Sequence, residues 1–250
     1  MVMDGTMARD RVVLGDRETA GDGRQRKGKG MAEQIAEVDL TAVSVRLEEL
    51  GAEETIRWAA ARFGADCALA CSFQDPVILD LLSKVAPRME VIFLDTGFHF
   101  PETIEYVARI QRRYDLNLRV VRPGPDADPW PCGSSECCQR RKVAPLLGAL
   151  CGRSAWLTGL KRCDAPTRAK APVVSWDSRR KLVKVNPMAA WTEVDVSAYM
   201  AQHDLPPHPL TAQGYLSIGC APTTSPVAPG ADHRSGRWSG SDKTECGLHE

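Results

Sequence analysis

The sequence predicts an α/β fold, a mostly parallel β-sheet with helices on both faces, followed by a mobile C-terminal tail. Two observations carry this prediction. Short apolar runs at Cys67 to Cys71, Val91 to Leu94, Leu116 to Val121, Ala155 to Leu157 and Leu182 to Val185 read as strands, continuous enough to be buried on both faces. Amphipathic stretches fill the gaps, with Val77, Ile78, Leu81, Leu82 and Val85 in the first and Ile104, Val107 and Ile110 in the second. Strands that alternate with helices of this length make βαβ units and a parallel sheet.

Taken in order, residues 1–30 mix glycines with charges, show no hydrophobic periodicity and end in the basic run from Arg24 to Gly30. They are expected to be disordered, with Met31 as a second candidate start. Apolar residues at helical spacing, Val43, Val45, Leu47 and Leu50, then Ile56, Trp58, Ala59 and Phe63, predict two helices broken at Gly51. The α/β domain is expected over 31–219. Residues 192–203 predict one more helix, and Pro206, Pro207 and Pro209 halt regular structure. The last stretch, 220–250, is rich in Gly, Pro and Ser and has little apolar content to anchor it, so it is expected to be flexible.

Composition excludes several functions. Across 250 residues, Lys plus Arg number 32 and Asp plus Glu 32, so no whole-chain basic field recruits nucleic acid or an anionic membrane. No apolar run approaches the roughly 18 residues that a spanning helix needs. The N-terminus carries scattered charges and no apolar core of a secretory signal, which predicts a cytoplasmic protein. Nine cysteines, an odd number in a reducing compartment, point to metal or redox chemistry rather than to a disulfide framework.

In a parallel sheet, ligands sit beyond the carboxyl ends of the strands. After the first strand stands Cys71-Ser72-Phe73-Gln74-Asp75-Pro76, a hydroxyl and an opening helix whose free N–H groups suit a phosphate or sulfate, although Ser72 also reads as a simple helix cap. Asp95, Thr96 and Gly97 follow the second strand, and Gly159-Leu160-Lys161-Arg162 the fourth. The adjacent Cys137 and Cys138 precede Arg140, Arg141 and Lys142, cations that favour thiolates, and Cys220 follows far downstream. Cys67, Cys71 and Cys151 lie in apolar runs and are expected in the core. Cys246, between Lys243 and His249 near the chain end, suits an exposed nucleophile.

Several longer motifs occur in order: Cys-Cys-x-x-Arg-Lys at 137–142, Asp164-Ala165-Pro166-Thr167-Arg168, Asn186-Pro187-Met188-Ala189-Ala190-Trp191, Tyr215-Leu216-Ser217-Ile218-Gly219-Cys220, Arg234-Ser235-Gly236-Arg237-Trp238 and Lys243-Thr244-Glu245-Cys246-Gly247-Leu248-His249. Together they resemble the assimilatory adenylylsulfate reductase family from about residue 40 to the end. The resemblance implies an adenine-nucleotide-binding, Rossmann-like fold, a [4Fe-4S] cluster, and reduction of adenosine 5′-phosphosulfate to sulfite and AMP in sulfate assimilation and cysteine biosynthesis, with thioredoxin as donor. It further implies Cys246 as the nucleophile that takes up an S-sulfonate. Ser72, Phe73, Gln74, Asp75, Asp95, Thr96, Gly159, Leu160 and Lys161 would lie along the nucleotide. Lys142, Arg168, Arg234 and Arg237 would hold the phosphosulfate, and Cys137, Cys138 and Cys220 the cluster. A homo-oligomer is left open.

One position departs from the family pattern Cys-x-x-Cys: the chain reads Cys220-Ala221-Pro222-Thr223. A threonine hydroxyl is a far poorer iron ligand than a thiolate. The cluster is then short of a ligand, absent, or completed by another thiol, with Cys132 the first candidate and Cys163 the second. Three alternatives remain at this point: a reductase of the 3′-phosphorylated nucleotide, an ATP-dependent adenylating enzyme or sulfurtransferase, and a nonenzymatic iron–sulfur protein. The Cys137-Cys138 pair argues against the first, the lack of a glycine-rich loop at Ser72–Asp75 against the second, and the retained Cys246 motif against the third.

Overall fold

Six strands, β1 (Cys67–Ala70), β2 (Glu90–Leu94), β3 (Leu118–Val121), β4 (Ala155–Thr158), β5 (Val174–Asp177) and β6 (Leu182–Val185), form one sheet in the order β3-β2-β1-β4-β6-β5. All neighbours run parallel except β5, which is antiparallel to β6 at the edge. The structure, a computed structural model, describes residues 39–238, 243 and 245–249, so the expected extension 1–30 lies outside the described residues.

Period-two alternation decides which helix covers which face. Leu69, Val91, Phe93 and Leu157 point to one side and pack there with Leu47 of α1 (Leu40–Leu50), Ile56 of α2 (Ala52–Phe63), Leu79 and Leu82 of α3 (Val77–Val85) and Tyr106 and Ile110 of α4 (Pro101–Tyr114). The intervening Ala68, Ile92, Trp156 and Leu182 point to the other side. They meet Leu146, Ala149 and Leu150 of α6 (Ala144–Leu150), which follows the one-turn α5 (Ser135–Cys138), and the tail residue Leu248. The second face is therefore closed partly by a short helix and partly by the C-terminal tail.

Local chemistry accounts for the element ends. The Asp39 carboxylate accepts from the Thr41 and Ala42 amides and caps α1. Gly51, at φ +88, separates α1 from α2 as the sequence predicts. Pro101 opens α4, and Thr192 with Asp195 forms a capping box for α7 (Glu193–Gln202). Among the described residues no helix is long and apolar enough to cross a membrane.

The structure differs from the sequence expectation in four places. β3 starts at Leu118 rather than Leu116, because Leu116 is still in the turn leaving α4. Edge strand β5 was not expected, since Val174-Ser175-Trp176-Asp177 shows no apolar run. Cys151 is exposed rather than core: α6 ends there, and its apolar neighbours belong to the helix. Finally, the tail has anchors that its composition conceals. The Ala221 amide donates to the Phe98 carbonyl at 2.7 Å, Thr224 pairs with Arg237 in an antiparallel bridge, and Trp238 is buried.

Candidate active site

The chain leaves β1 toward β2 on one side and β4 toward β6 on the other, so the sheet has its switch point between β1 and β4. A cavity opens at the carboxyl ends of these two strands, where such a crevice forms between diverging connections.

The β1 wall is Ser72, Gln74 and Asp75. Asp75 Oδ1 accepts from the Val77 amide at 3.1 Å, and burial pushes its carboxyl above the usual carboxylate range while Lys161 opposes the shift. The Gln74 side chain spans to the 216–218 segment, accepting from the Ile218 amide at 3.2 Å and donating to the Leu216 carbonyl at 3.4 Å. Phe73 occupies the left-handed region at φ +57, and its ring leaves the cavity for the core, edge-on to Phe93 at 5.4 Å. Thr96 lines the cavity, whereas Asp95 turns outward to Arg122 at 3.0 Å. Of the expected nucleotide-side residues, the side chains of Phe73 and Asp95 are thus directed away from it.

The β4 wall is Thr158, Gly159, Leu160 and Lys161. Thr158 donates to Asn186 Oδ1 and accepts from the Leu160 amide, both at 3.0 Å, which fixes the turn. The buried Lys161 ammonium lies 3.2 Å from Asp164 and 3.7 Å from Glu193. Burial would lower its pKa, but the carboxylates of Asp164, Asp75 and Glu193 outweigh this and raise it. Asp164 also pairs with Arg168 at 3.2 Å, so this carboxylate cluster abuts the cationic part of the cavity.

Beyond Asp164 the lining is cationic. Lys142, Arg168, Arg234 and Arg237, which the resemblance assigns to the phosphosulfate, all line the cavity. Arg237 stacks on Trp238 at 4.4 Å and packs onto the bare backbone of Gly219, where a β-carbon would overlap the guanidinium. Lys142 belongs to a single π turn, Gln139–Val143, inserted between α5 and α6, and that extra residue per turn re-aims the basic run.

Cys246, half-buried, enters this cationic part, close enough to bear electrostatically on Lys142, Arg168 and Arg237. Glu245 binds Arg168 through both carboxylate oxygens at 2.7 Å and approaches Arg234 at 3.7 Å. The Leu248 carbonyl accepts from Arg180 at 2.9 Å, and His249 stacks on Trp156 at 6.1 Å. Burial, reinforced by Lys184, Arg168, Arg180 and Arg234, holds the His249 imidazole neutral. By contrast Cys71 also lines the cavity, but desolvation pushes its thiol up to about 12, which leaves it inert.

The remaining thiols gather behind Lys142. Ser134 caps α5 by accepting from the Cys137 amide at 3.0 Å, and Cys137 and Cys138 are buried on that turn. Buried Cys220 lies 3.5 Å from Thr96 Oγ1, and Cys138 Sγ accepts from Lys243 Nζ at 3.1 Å. Lys142 acts on Cys138, Cys220 and Cys246 together. Cys163, a candidate substitute ligand in the sequence, instead donates to the Trp191 carbonyl at 3.3 Å and sits with Asp164 and Glu193. The sequence reads His249 as a cation flanking an exposed Cys246, whereas it is buried, neutral and stacked on Trp156, and Cys246 is half-buried. Sequence reasoning assigned no role to Glu245, Asp164 or Trp156. The first two stand inside quoted motifs, but Trp156 in an apolar strand carries no signal that distinguishes it from core.

Residues 66–226 match the family model described as phosphoadenosine phosphosulfate reductase domain. The chain is similar to the adenosine 5′-phosphosulfate reductase of Mycolicibacterium smegmatis, 45% identical over 82% of this chain and 91% of that one. It is likewise similar to that of Mycobacterium tuberculosis H37Rv, 52% identical over 72% and 75%. Among solved structures it resembles a phosphoadenylyl-sulfate reductase from Candida auris in a phosphate complex, with a TM-score of 0.62 and 25% identity, over 84% of this chain and all of that one. An FMN adenylyltransferase from Candida glabrata shares the fold alone, with a TM-score of 0.52 and 15% identity over 81% of this chain and 73% of that one.

Proposed function

The chain belongs to the phosphoadenosine phosphosulfate reductase domain family, and from that premise we propose that it is the oxidoreductase that reduces adenosine 5′-phosphosulfate to sulfite and AMP in sulfate assimilation. The observation that carries the reading is Cys246 held among Lys142, Arg168 and Arg237 inside the switch-point cavity.

The adenosine lies across Ser72–Asp75 and Gly159–Lys161, and the phosphosulfate points to the cationic part. Lys142, Arg168, Arg234 and Arg237 are preorganised around the charge that the departing phosphate develops, the arrangement that most lowers such a barrier. The Cys246 thiolate attacks the sulfur, an S–S bond forms, the S–O bond to the phosphate breaks, and AMP leaves with that electron pair. A dithiol donor of the thioredoxin class then attacks the Cys246 sulfur. Sulfite leaves, and the second donor thiol frees Cys246 as the donor becomes a disulfide, so two electrons pass from donor to substrate. Such a donor belongs to a reducing compartment such as the cytoplasm. The docked tail, with Leu248 and His249 packed toward Trp156, holds the half-buried thiol at the cavity.

Cys137, Cys138 and Cys220 fit an iron–sulfur cluster. Their thiols are buried, beside Lys142 and Lys243. When bound, a [4Fe-4S] cluster supplies an anionic, redox-capable centre that ties the 137–138 turn to the 217–224 segment. Lys142 serves both sides of this arrangement, since its ammonium acts on Cys138 and Cys220 as well as on Cys246.

The test is a single turnover. Without reductant, adenylylsulfate should release one equivalent of AMP and leave a sulfonate on the peptide bearing Cys246, and reduced thioredoxin should then release sulfite. Cys246→Ser should bind nucleotide and form neither product. A sulfonate on another residue, or AMP release by the serine variant, overturns the assignment.

A further inference from the structure

We propose that Cys132 is the fourth protein ligand of the iron–sulfur cluster, standing in for the thiolate that Thr223 cannot supply. The inference rests on the cluster reading above and deepens it.

Each iron of a four-iron cluster takes a terminal ligand, and Cys137, Cys138 and Cys220 account for three. Thr223 is an unsuitable fourth on chemical grounds, and its hydroxyl is already spent as a donor to the Cys220 carbonyl at 3.3 Å. The chain places another thiol at the same spot by a different route. Cys132 lies in the turn Pro131–Ser134, closed by the Ser134 amide on the Pro131 carbonyl at 3.2 Å. The Ser134 hydroxyl caps Cys137, so this turn is fixed directly ahead of the cysteine pair.

The turn is also pressed against the Cys220 loop. Gly133 has φ +98, and a β-carbon there would lie 2.8 Å from Thr223 Cγ2. Across that contact Cys220, Thr223 and Cys137 are the groups that bear on the Cys132 thiol, which is half-buried there. Lys243 binds the Gly133 carbonyl at 2.9 Å, the Ser134 carbonyl at 3.3 Å and Cys138 Sγ at 3.1 Å, which places a cation on the turn and the pair together. Threonine at 223 thereby offers a methyl group that seats Gly133, while the ligand comes from the opposite strand of the contact.

None of the remaining thiols competes. Cys67 is buried in the α1–α4 side of the core, Cys71 lines the cavity by β1, Cys151 caps the exposed end of α6, Cys163 sits with Trp191 and Glu193, and Cys246 faces the substrate cavity.

The experiment is iron and sulfide analysis, ⁵⁷Fe Mössbauer spectroscopy and the rate of bleaching in air, on the full chain reconstituted anaerobically. Wild type should contain about four irons per chain, all thiolate-ligated. Cys132→Ser should bleach at least tenfold faster or lose one iron, and Cys132→Ser with Thr223→Cys should restore the wild-type rate. Thr223→Cys alone should change the rate less than twofold, because its corner is already filled. Wild-type spectra with one oxygen-ligated iron, a stable cluster in Cys132→Ser, or a large stabilisation by Thr223→Cys alone would each overturn the Cys132 assignment while leaving the cluster in place. Wild type that takes up no iron at all defeats the cluster reading itself, and Cys132 with it.

Discussion

Glu245 and Arg168 form a two-point carboxylate–guanidinium pair, Oε1 to Nε and Oε2 to Nη2 both at 2.7 Å, one residue ahead of Cys246. Asp164 holds the same guanidinium from the other side at 3.2 Å. The arginine proposed to meet the substrate anion is therefore also the post that holds Cys246, the proposed nucleophile. Burial lowers the Arg168 pKa, but Glu245, with Asp164 and Cys246, reverses this and raises it, so the guanidinium stays charged throughout.

Glu245 is accordingly a positioning residue. Glu245→Gln keeps one hydrogen bond and loses the charge, so Cys246 is held less firmly while Arg168 and Arg234 attract the substrate anion more. We expect kcat to fall about ten- to a hundredfold, roughly 1.4 to 2.7 kcal/mol, with nucleotide binding to the Cys246→Ser background unchanged or tighter. Steady-state kinetics and titration calorimetry together check the split. A parallel loss of affinity would instead place Glu245 in binding.

The substrate should be the nucleotide without a 3′-phosphate. Asp75, Asp164 and Glu193 outnumber Lys161 and Arg168, the cations beside them, so this part of the cavity disfavours a further dianion. The ratio of kcat/KM for adenylylsulfate over its 3′-phosphorylated form should exceed tenfold, about 1.4 kcal/mol. A ratio below one overturns the orientation of the nucleotide.

Gly219→Ala isolates the role of Arg237. The backbone there tolerates alanine, but the added methyl overlaps the guanidinium and must push it off. The expected result is a KM about tenfold higher, with cluster content and melting temperature near those of wild type. An unchanged KM would show that Arg237 does not contact substrate.

Stability should depend on pH through His208. Its Nδ1 accepts from the Leu210 amide at 3.2 Å, its Nε2 is 3.1 Å from Thr103 Oγ1, and burial, against Glu102 and with Arg109 and His99, lowers its pKa to about 4. The unfolded chain thus binds this proton first, so stability is full above pH 6.5 and falls as pH drops toward 4, by about 3 kcal/mol. Urea titrations should show that loss, and His208→Gln should flatten the pH dependence. An equally steep variant would assign the loss to other groups.

The parallel sheet was legible in the sequence because β1, β2 and β4 are buried on both faces and show as unbroken apolar runs. β5 was not, because its outward residue is the exposed Trp176 while Asp177, turned inward, is paired with Arg180, so the strand shows no apolar run. The cavity was legible at strand ends, yet Phe73 and Asp95 show the limit of that reasoning. Adjacent residues at a strand end point in opposite directions, and sequence position does not say which faces in. Arg168, Arg234 and Arg237 were found through motif resemblance, whereas Trp156 passed for core because an indole that floors a tail-binding surface and one that fills a core occupy the same strand pattern.

Trp156 carries a consequence for timing. Its indole is covered by His249, with Leu248 packed beside it, so the tail that delivers the nucleophile also finishes the second face of the sheet. Undocking re-exposes that apolar surface, at about 2 kcal/mol for a leucine-sized contact. It also breaks the Glu245–Arg168 pair and the Arg180 bond to the Leu248 carbonyl, so the clasp stands open less than about 3% of the time. In the proposed mechanism a protein donor would reach the sulfonated cysteine only in those intervals, and stray small thiols would meet the same closed interval before sulfite is lost. The clasp would then work as a queue, the intermediate waiting, shielded, for a partner whose own docking energy holds the tail open.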